Sequence, residues 1–312
     1  MYGGGQVIVT VTLNTALDLT YRVPALTPHA SHRITQVIER PGGKGLNVAR
    51  VLAALGYETV ATGFAGGATG AVLREGLAAT PVRDELVGTA GATRRTVAVV
   101  DAATGDTTQL NEPGPTVTAA EWDAFRTRFA ALLDGAAAVA LCGSLPPGIH
   151  VGAYAELVRL ARAAAVPVLL DTSGEPLRRG IAARPDLVKP NADELARLTG
   201  AREPRRATLD ARRRGAHAVV SSLGPEGLLA ATPEGLWRAA PPAPVRGNPT
   251  GAGDSAVAGL LSGLVDDAPW PDRLTRAVAL SAATVLSPVA GEFDAAAYEE
   301  LLGRVKVTEE TP

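Results

Sequence analysis

From Thr118 onward the chain repeats one pattern: a short apolar run, a polar or glycine-bearing turn, then a stretch of helical length. Residues 137–142, 167–170, 185–189 and 218–221 read as strands, and residues 119–133 and 153–164, with a helix opened by Pro190-Asn191 and running through Leu198, as helices. Strands that alternate with helices run parallel, and a parallel sheet must be covered on both faces. The chain is therefore expected to form an α/β protein of three layers, α/β/α, around a central, mostly parallel sheet. Residues 7–13, a β-branched run, supply a further central strand. In such a sheet the strand C-termini share one edge. The turns at Asn14, Gly143, Asp171, Lys189 and Ser222 should then converge on one cleft.

Two segments break the pattern. Residues 19–23 and 32–39 alternate apolar and polar, and residues 93–100, a strand opening with two arginines, are expected to pair with 107–110 around a turn at 101–105. They are expected to form a small sheet, a lid of about residues 18–40 and 93–111 inserted in one domain spanning 1–312. Residues 228–230 and 235–237 read as a hairpin, and helices are expected at 254–265, 271–287 and 294–304.

The composition narrows the function. Apolar residues make up 46% and aromatic ones 4%, so small aliphatic side chains fill the core and helices can sit close to the sheet. A net charge of -2 argues against a nucleic-acid partner. A single cysteine, Cys142, allows no intrachain disulfide, and the histidines at 29, 32, 150 and 217 follow no zinc spacing. With no apolar run of about twenty residues and no basic flank or cleavage signature at the start, a cytoplasmic protein with no membrane partner is expected.

Two glycine-rich turns carry the chemistry. Asn248-Pro-Thr-Gly251-Ala252-Gly253-Asp254-Ser255 precedes a small-residue apolar helix. Unpaired amides at a helix N-terminus suit a phosphate or a developing oxyanion. Asp254 in the first turn is favoured by the helix dipole, and capping alone accounts for it equally well. The same placement would let it take a proton from an attacking hydroxyl. Gly251-x-Gly253-x-x-Ala256 approaches a dinucleotide fingerprint, but the proline-rich residues before it cannot be the central strand that fingerprint requires. The second turn, Pro41-Gly42-Gly43-Lys44-Gly45-Leu-Asn47, enters a helix expected over 47–55. It lets backbone approach a ligand, with Lys44 available to a phosphate and Asn47 to a sugar hydroxyl. It lacks the spacing of a nucleotide P-loop.

Together these stretches resemble the ribokinase-like (PfkB) family of carbohydrate kinases. Gly42-Gly43-Lys44-Gly45-x-Asn47-Val-Ala and Gly251-Ala-Gly253-Asp254-Ser carry most of the likeness. Lys189-Pro190-Asn191-x-x-Glu194 and Ser222-Leu-Gly224-x-x-Gly227 lie between them, in the family's order. Asn14 through Asp18, with Thr93-Arg94 and Gly143-Ser144-Leu-Pro146, is similar to the branch acting on phosphorylated ketohexoses: 1-phosphofructokinases, tagatose-6-phosphate kinases and minor 6-phosphofructokinases. Thr15 stands where that branch commonly has Pro, and Ala98 where some members carry Lys.

The resemblance implies ATP-dependent phosphoryl transfer, with Asp254 as general base and the amides of Gly251, Ala252 and Gly253 as the anion hole. It places Asp18, Gly43, Lys44, Asn47, Arg94 and Ser144 on the sugar, with Lys44 and Arg94 on its phosphate. Lys189, Asn191, Ser222, Gly224, Glu226 and Gly227 would line the nucleotide. Asn191 and Glu194 would order the waters of a Mg²⁺ ion. The expected substrate is fructose 1-phosphate. Fructose 6-phosphate, tagatose 6-phosphate, an unphosphorylated hexose and a nucleoside stand as alternatives, beside a non-catalytic sugar-binding protein. A homodimer through the lid sheet is expected.

Overall fold

The computed structural model describes residues 7–34, 36–287 and 291–310. The first six residues, read above for a leader signature, and Thr35, within the expected strand 32–39, lie outside that set. The elements in chain order are β1 (Val7–Thr12), β2 (Ala16–Val23), β3 (Val37–Gly42), α1 (Lys44–Ala54), β4 (Thr59–Gly66), α2 (Gly67–Ala78), β5 (Arg83–Thr89), β6 (Arg94–Asp101) and β7 (Thr107–Asn111). Next come α3 (Ala119–Leu132), β8 (Ala136–Cys142), α4 (Ala153–Ala163), β9 (Val168–Asp171), α5 (Gly174–Ala182), β10 (Leu187–Val188), α6 (Ala192–Thr199), α7 (Pro204–Arg213) and β11 (Ala218–Ser222). The chain ends with β12 (Leu228–Thr232), β13 (Gly235–Ala240), α8 (Ala252–Val265), α9 (Trp270–Val285), α10 (Ala295–Leu302) and β14 (Lys306–Glu310).

The large sheet has ten strands in the order β14-β13-β12-β11-β10-β9-β8-β1-β4-β5. It is parallel from β11 to β5, and the β12–β13 hairpin and β14 extend it antiparallel. Alternation along β8 shows how it is buried. Val139 and Leu141 face a cluster with Trp122, Phe125, Phe129, Tyr154 and Leu157 from α3 and α4. Ala138, Ala140 and Cys142 face α1, α8 and α9 through Val48, Leu52, Leu260 and Leu280. Small side chains on the second face let those helices sit close to the sheet. Close packing continues between α8 and α9, where a Cβ on Gly259 would stand 2.6 Å from Ala277 Cα.

The second sheet has four strands in the order β3-β2-β6-β7. β2 pairs antiparallel with β3 and parallel with β6. Its existence follows the sequence reading, but one strand is displaced. The expected strand 32–39 forms instead at Val37–Gly42. Pro41 and Gly42 thus end a strand, and α1 begins at Lys44, three residues before the expected start at Asn47. Ala16 pairs with Gly42 and Leu17 with Pro41, so the ladder to β2 draws the turn residues into the sheet. α7 begins at Pro204, where the Glu203 side chain caps its first amides. Among the described residues no helix is long and apolar enough to cross a membrane.

Candidate active site

The parallel strands end on one side, and their turns assemble the cleft. After β1, buried Asn14 donates from Nδ2 to Ser144 Oγ, beyond β8, and to Pro113 O, both at 3.1 Å. At the end of β9, Asp171 is 1% exposed. It takes Lys44 Nζ at 3.2 Å and Lys189 Nζ at 3.6 Å. One buried carboxylate therefore holds two lysines that are 145 residues apart in sequence (189 − 44). The Asp171 charge is the main reason the Lys44 ammonium is held well above its ordinary pKa; Asp254 and Glu194 add to it against the effect of burial.

Opposite these strand ends, Gly251 turns the chain into α8 with φ 85°, in the left-handed region where a side chain is strained. Ala252 N–H is already bonded to Pro249 O, at 3.2 Å. The amides of Gly251, Gly253 and Asp254 meet no acceptor among the described residues, so of the expected trio only Ala252 is taken, and the Asp254 amide is open beside the other two. Lys189 Nζ stands 3.6 Å from where a Cβ on Gly253 would be. Asp254 follows in the first helical turn and is 7% exposed. Its Oδ2 accepts from Asn47 Nδ2 at 2.7 Å, across 207 residues of chain. Burial pushes the Asp254 carboxyl up to about 6 and Asp171 pushes the same way, while Lys44, the Asn47 hydrogen bond and Lys189 oppose the rise.

Gly43 enters α1 with φ 109°. Beside it a Cβ on Gly42 would stand 2.0 Å from Asp18 Cγ, so only glycine leaves Asp18 its place. Asp18 accepts from Thr96 Oγ1 of β6. Burial raises its pKa against Thr96, Arg50, Arg94 and the Gly43 amide. Arg94 Nε and Nη2 both donate to Asn14 O at 3.2 Å, and Nη1 to Glu112 O at 3.1 Å. Two of its five N–H groups are left over. Asn191 and Glu194 form a reciprocal cap on α6, each side chain accepting from the other's amide at 2.9 Å. Glu194 keeps its Oε1 without a hydrogen bond among the described residues.

Two cavities flank the start of α8. One, of about 460 Å³, is lined by Asp18, Gly43, Lys44, Asn47, Arg94 and Ser144, and also by Arg40, Arg50, Glu194 and Thr250. The other, of about 930 Å³, is lined by Asn191, Ser222, Gly224, Glu226, Gly227, Ala252 and Gly253, with Val245, Val278 and Val285 as an apolar wall. Every sugar-side residue expected from sequence thus lies on one cavity. The nucleotide-side residues lie on the other, except Lys189, which is turned toward Asp171 and Gly253.

A model of the pfkB family of carbohydrate kinases matches residues 9–295. The chain belongs to the pfkB family. This pfkB kinase is 40% identical over 289 residues to the 1-phosphofructokinase of Rhodobacter capsulatus, covering 90% of this chain and 92% of that one. It is 30% identical over 310 residues to the tagatose-6-phosphate kinase of Staphylococcus epidermidis, covering 97% and 99%. Among solved structures, the tetrameric inhibited form of phosphofructokinase-2 from Escherichia coli superposes with a TM-score of 0.87 at 31% identity, covering 95% of this chain and 98% of that one. The three-layer fold and the small sheet are those of a ribokinase-like sugar kinase.

Sequence reasoning gives Arg50 and Thr96 no role, and Asp171 only a place among the turns that converge on the cleft. Its partners come from α1 and the segment after β10, and no local pattern announces that meeting.

Proposed function

We propose that this enzyme is an ATP-dependent kinase of a ketohexose phosphate, with fructose 1-phosphate as substrate and fructose 1,6-bisphosphate as product. The observation that carries the reading is the 460 Å³ cavity: Lys44, Arg40, Arg50 and Arg94 stand against Asp18 and Glu194, a cationic excess suited to an anionic sugar. The 40% identity to a 1-phosphofructokinase favours the 1-phosphate over fructose 6-phosphate and tagatose 6-phosphate. A coupled assay across these three sugars and free hexoses tests it. Turnover highest with a free hexose, or no ADP from any sugar, would overturn it.

In the mechanism, Asp18 and Asn47 hold sugar hydroxyls and Asp254 takes the proton of the attacking one. The amides of Gly253 and Asp254 face the charge growing on the transferred phosphoryl group. Lys44, paired with Asp171 and near Asp254, serves that same group, which leaves Arg94 as the contact for the sugar's own phosphate. The larger cavity takes the nucleotide, its apolar wall against the base. Among the described residues no three His, Cys, Asp or Glu side chains gather as a metal cage. This donor set fits Mg²⁺ that arrives with the triphosphate and keeps its waters, with Glu194 Oε1 and Asn191 to hold them. The ion would neutralise charge on the phosphate oxygens. The small sheet acts as a lid that excludes water. The whole chain is one cytoplasmic kinase domain that pairs with a second copy through this lid.

Two expectations follow from the site. With Asp254 held up to about 6, activity needs its ionised form, so kcat/KM should fall below an acid limb centred near pH 6. A pH profile without that limb in the wild type, or with it retained in Asp254→Asn, counts against Asp254 as base. Gly42→Ala would drive Asp18 from its place, since the new Cβ would lie 2.0 Å from Asp18 Cγ. The loss of a charged hydrogen bond of about 1.5–3 kcal/mol raises KM for the sugar roughly tenfold to a hundredfold. KM for ATP should hold, and a rise in both would place the damage elsewhere.

A further inference from the structure

Arg50 on α1 stands between the catalytic carboxylate and the small sheet. Its Nη2 donates to Asn47 Oδ1 at 2.7 Å, and its Nη1 donates to Pro41 O at the end of β3. Asn47 in turn donates from Nδ2 to Asp254 Oδ2 at 2.7 Å. A guanidinium can only donate, an ionised carboxylate can only accept, and a primary amide offers one face of each kind. Asn47 therefore fits between Arg50 and Asp254 in one orientation. Turned over, it would set N–H against N–H on one side and oxygen against oxygen on the other. Gly291 leaves the guanidinium this place, since a Cβ there would come within 2.4 Å of Nη2.

We propose that Arg50 is a positioning residue of the reaction: it fixes the Asn47 amide so that its N–H faces Asp254, and through Pro41 it makes that arrangement depend on the place of lid strand β3. The inference rests on Asp254 being the base. Protonated Asp254 would need an acceptor, and Arg50 denies it the Asn47 oxygen, so the relay favours the ionised form that the reaction uses. The lid end of the relay lies beside the sugar. Pro41 precedes Gly42, which backs Asp18, and Arg40 on the same strand pairs with Glu292 just before α10. A lid strand drawn away from α1 would break the Arg50–Pro41 bond and loosen the amide that holds the base.

The other groups that act on Asp254 are Lys44 on α1, Asp171 at the end of β9, Lys189 after β10 and the Cys142 thiol on β8. Arg50 also faces Asp254 and Asp18 as a charge, and loss of that charge alone would raise the limb, so Arg50→Lys, which keeps it, separates the charge from the hydrogen bonds. Arg50→Met keeps length and removes every donor. It is expected to lower kcat about tenfold, the scale of a lost charged hydrogen bond. The acid limb of kcat/KM should move up by about one pH unit as the amide is freed to turn. KM for ATP should hold. Arg50→Lys, which keeps the charge and can reach one of the two oxygens, should recover part of both effects. It carries the same test should the methionine variant be too unstable to assay. Asn47→Ala and the double variant Arg50→Lys/Asn47→Ala should share one limb, because with its charge kept Arg50 acts on the base through Asn47.

An unmoved limb in Arg50→Met or Arg50→Lys, or additive effects in the double variant, overturns the proposal. A uniform loss at all pH values with a lowered Tm also overturns it, since that is what a merely structural arginine would give. Asp254→Asn is measured beside them. Retained turnover there sinks the base assignment itself. Lost turnover there with an unmoved Arg50 limb sinks only the relay.

Discussion

Asp254→Asn is expected to lower kcat roughly a hundredfold or more, the scale of a lost general base, while ATP still binds. It should also make the protein more stable above neutral pH. The folded-state pKa of Asp254 is raised from 3.8 to about 6, so the native state prefers the protonated carboxyl. The stability tied to this group is present below about pH 4, declines as pH rises through about 6, and is absent above it. At pH 8 the wild type bears the whole cost of a buried charge. An Asn removes it, for a gain of up to about 3 kcal/mol, the pull of Lys44 and Lys189 being already contained in that raised pKa. Denaturant melts of both forms at pH 8 and pH 4 check this: the gap should be wide at the first and close at the second. Turnover near the wild-type level would end the assignment of Asp254 as base, and a variant less stable at pH 8 would end the account of its strain.

Arg94→Ala should raise KM for the phosphorylated sugar roughly tenfold to a hundredfold, the worth of a charged hydrogen-bonded contact. The side chain also braces the small sheet through Asn14 O and Glu112 O. The assay must therefore separate binding from bracing, and a parallel measurement with free fructose does so. If Arg94 grips the sugar's phosphate, the variant loses its preference for the phosphorylated sugar and turns over the free one at the wild-type rate. An equal loss on both would assign Arg94 to the bracing alone and leave the substrate phosphate to Arg40 or Lys44.

Much of this site is written locally. Glycine must stand at 43 and 251 because the chain turns there with positive φ, and a polar residue must follow each buried strand, so Asn14, Ser144, Lys189 and Ser222 are visible as cleft residues. The parts that escaped have physical reasons. β5 and β14, the two edge strands, read Arg-Asp-Glu-Leu-Val-Gly-Thr and Lys-Val-Thr-Glu-Glu, too charged to resemble buried strands. α5 contains Pro176 and two glycines and looks like a turn until Leu177 and Ile181 are seen packed in the core. Arg50 has the look of an ordinary helix-surface arginine, because the carbonyl and amide it serves are fixed by β3 and Asn47 rather than by its neighbours in sequence. The glycine turn before α8 is legible as a motif. That Pro249 O takes the Ala252 amide is not, since that depends on the bend there.

The opening turn of α8 works as a partition between two rooms. Thr250 lines one and Ala252 and Gly253 the other, while Asp254 lines neither and bonds to Asn47 of the first. If the two rooms take sugar and nucleotide as proposed, a single residue changed in that partition disturbs both at once, and selectivity for either is better re-engineered from the outer walls: at Asp18, Arg40 and Arg94 for one, at Val245, Val278 and Val285 for the other.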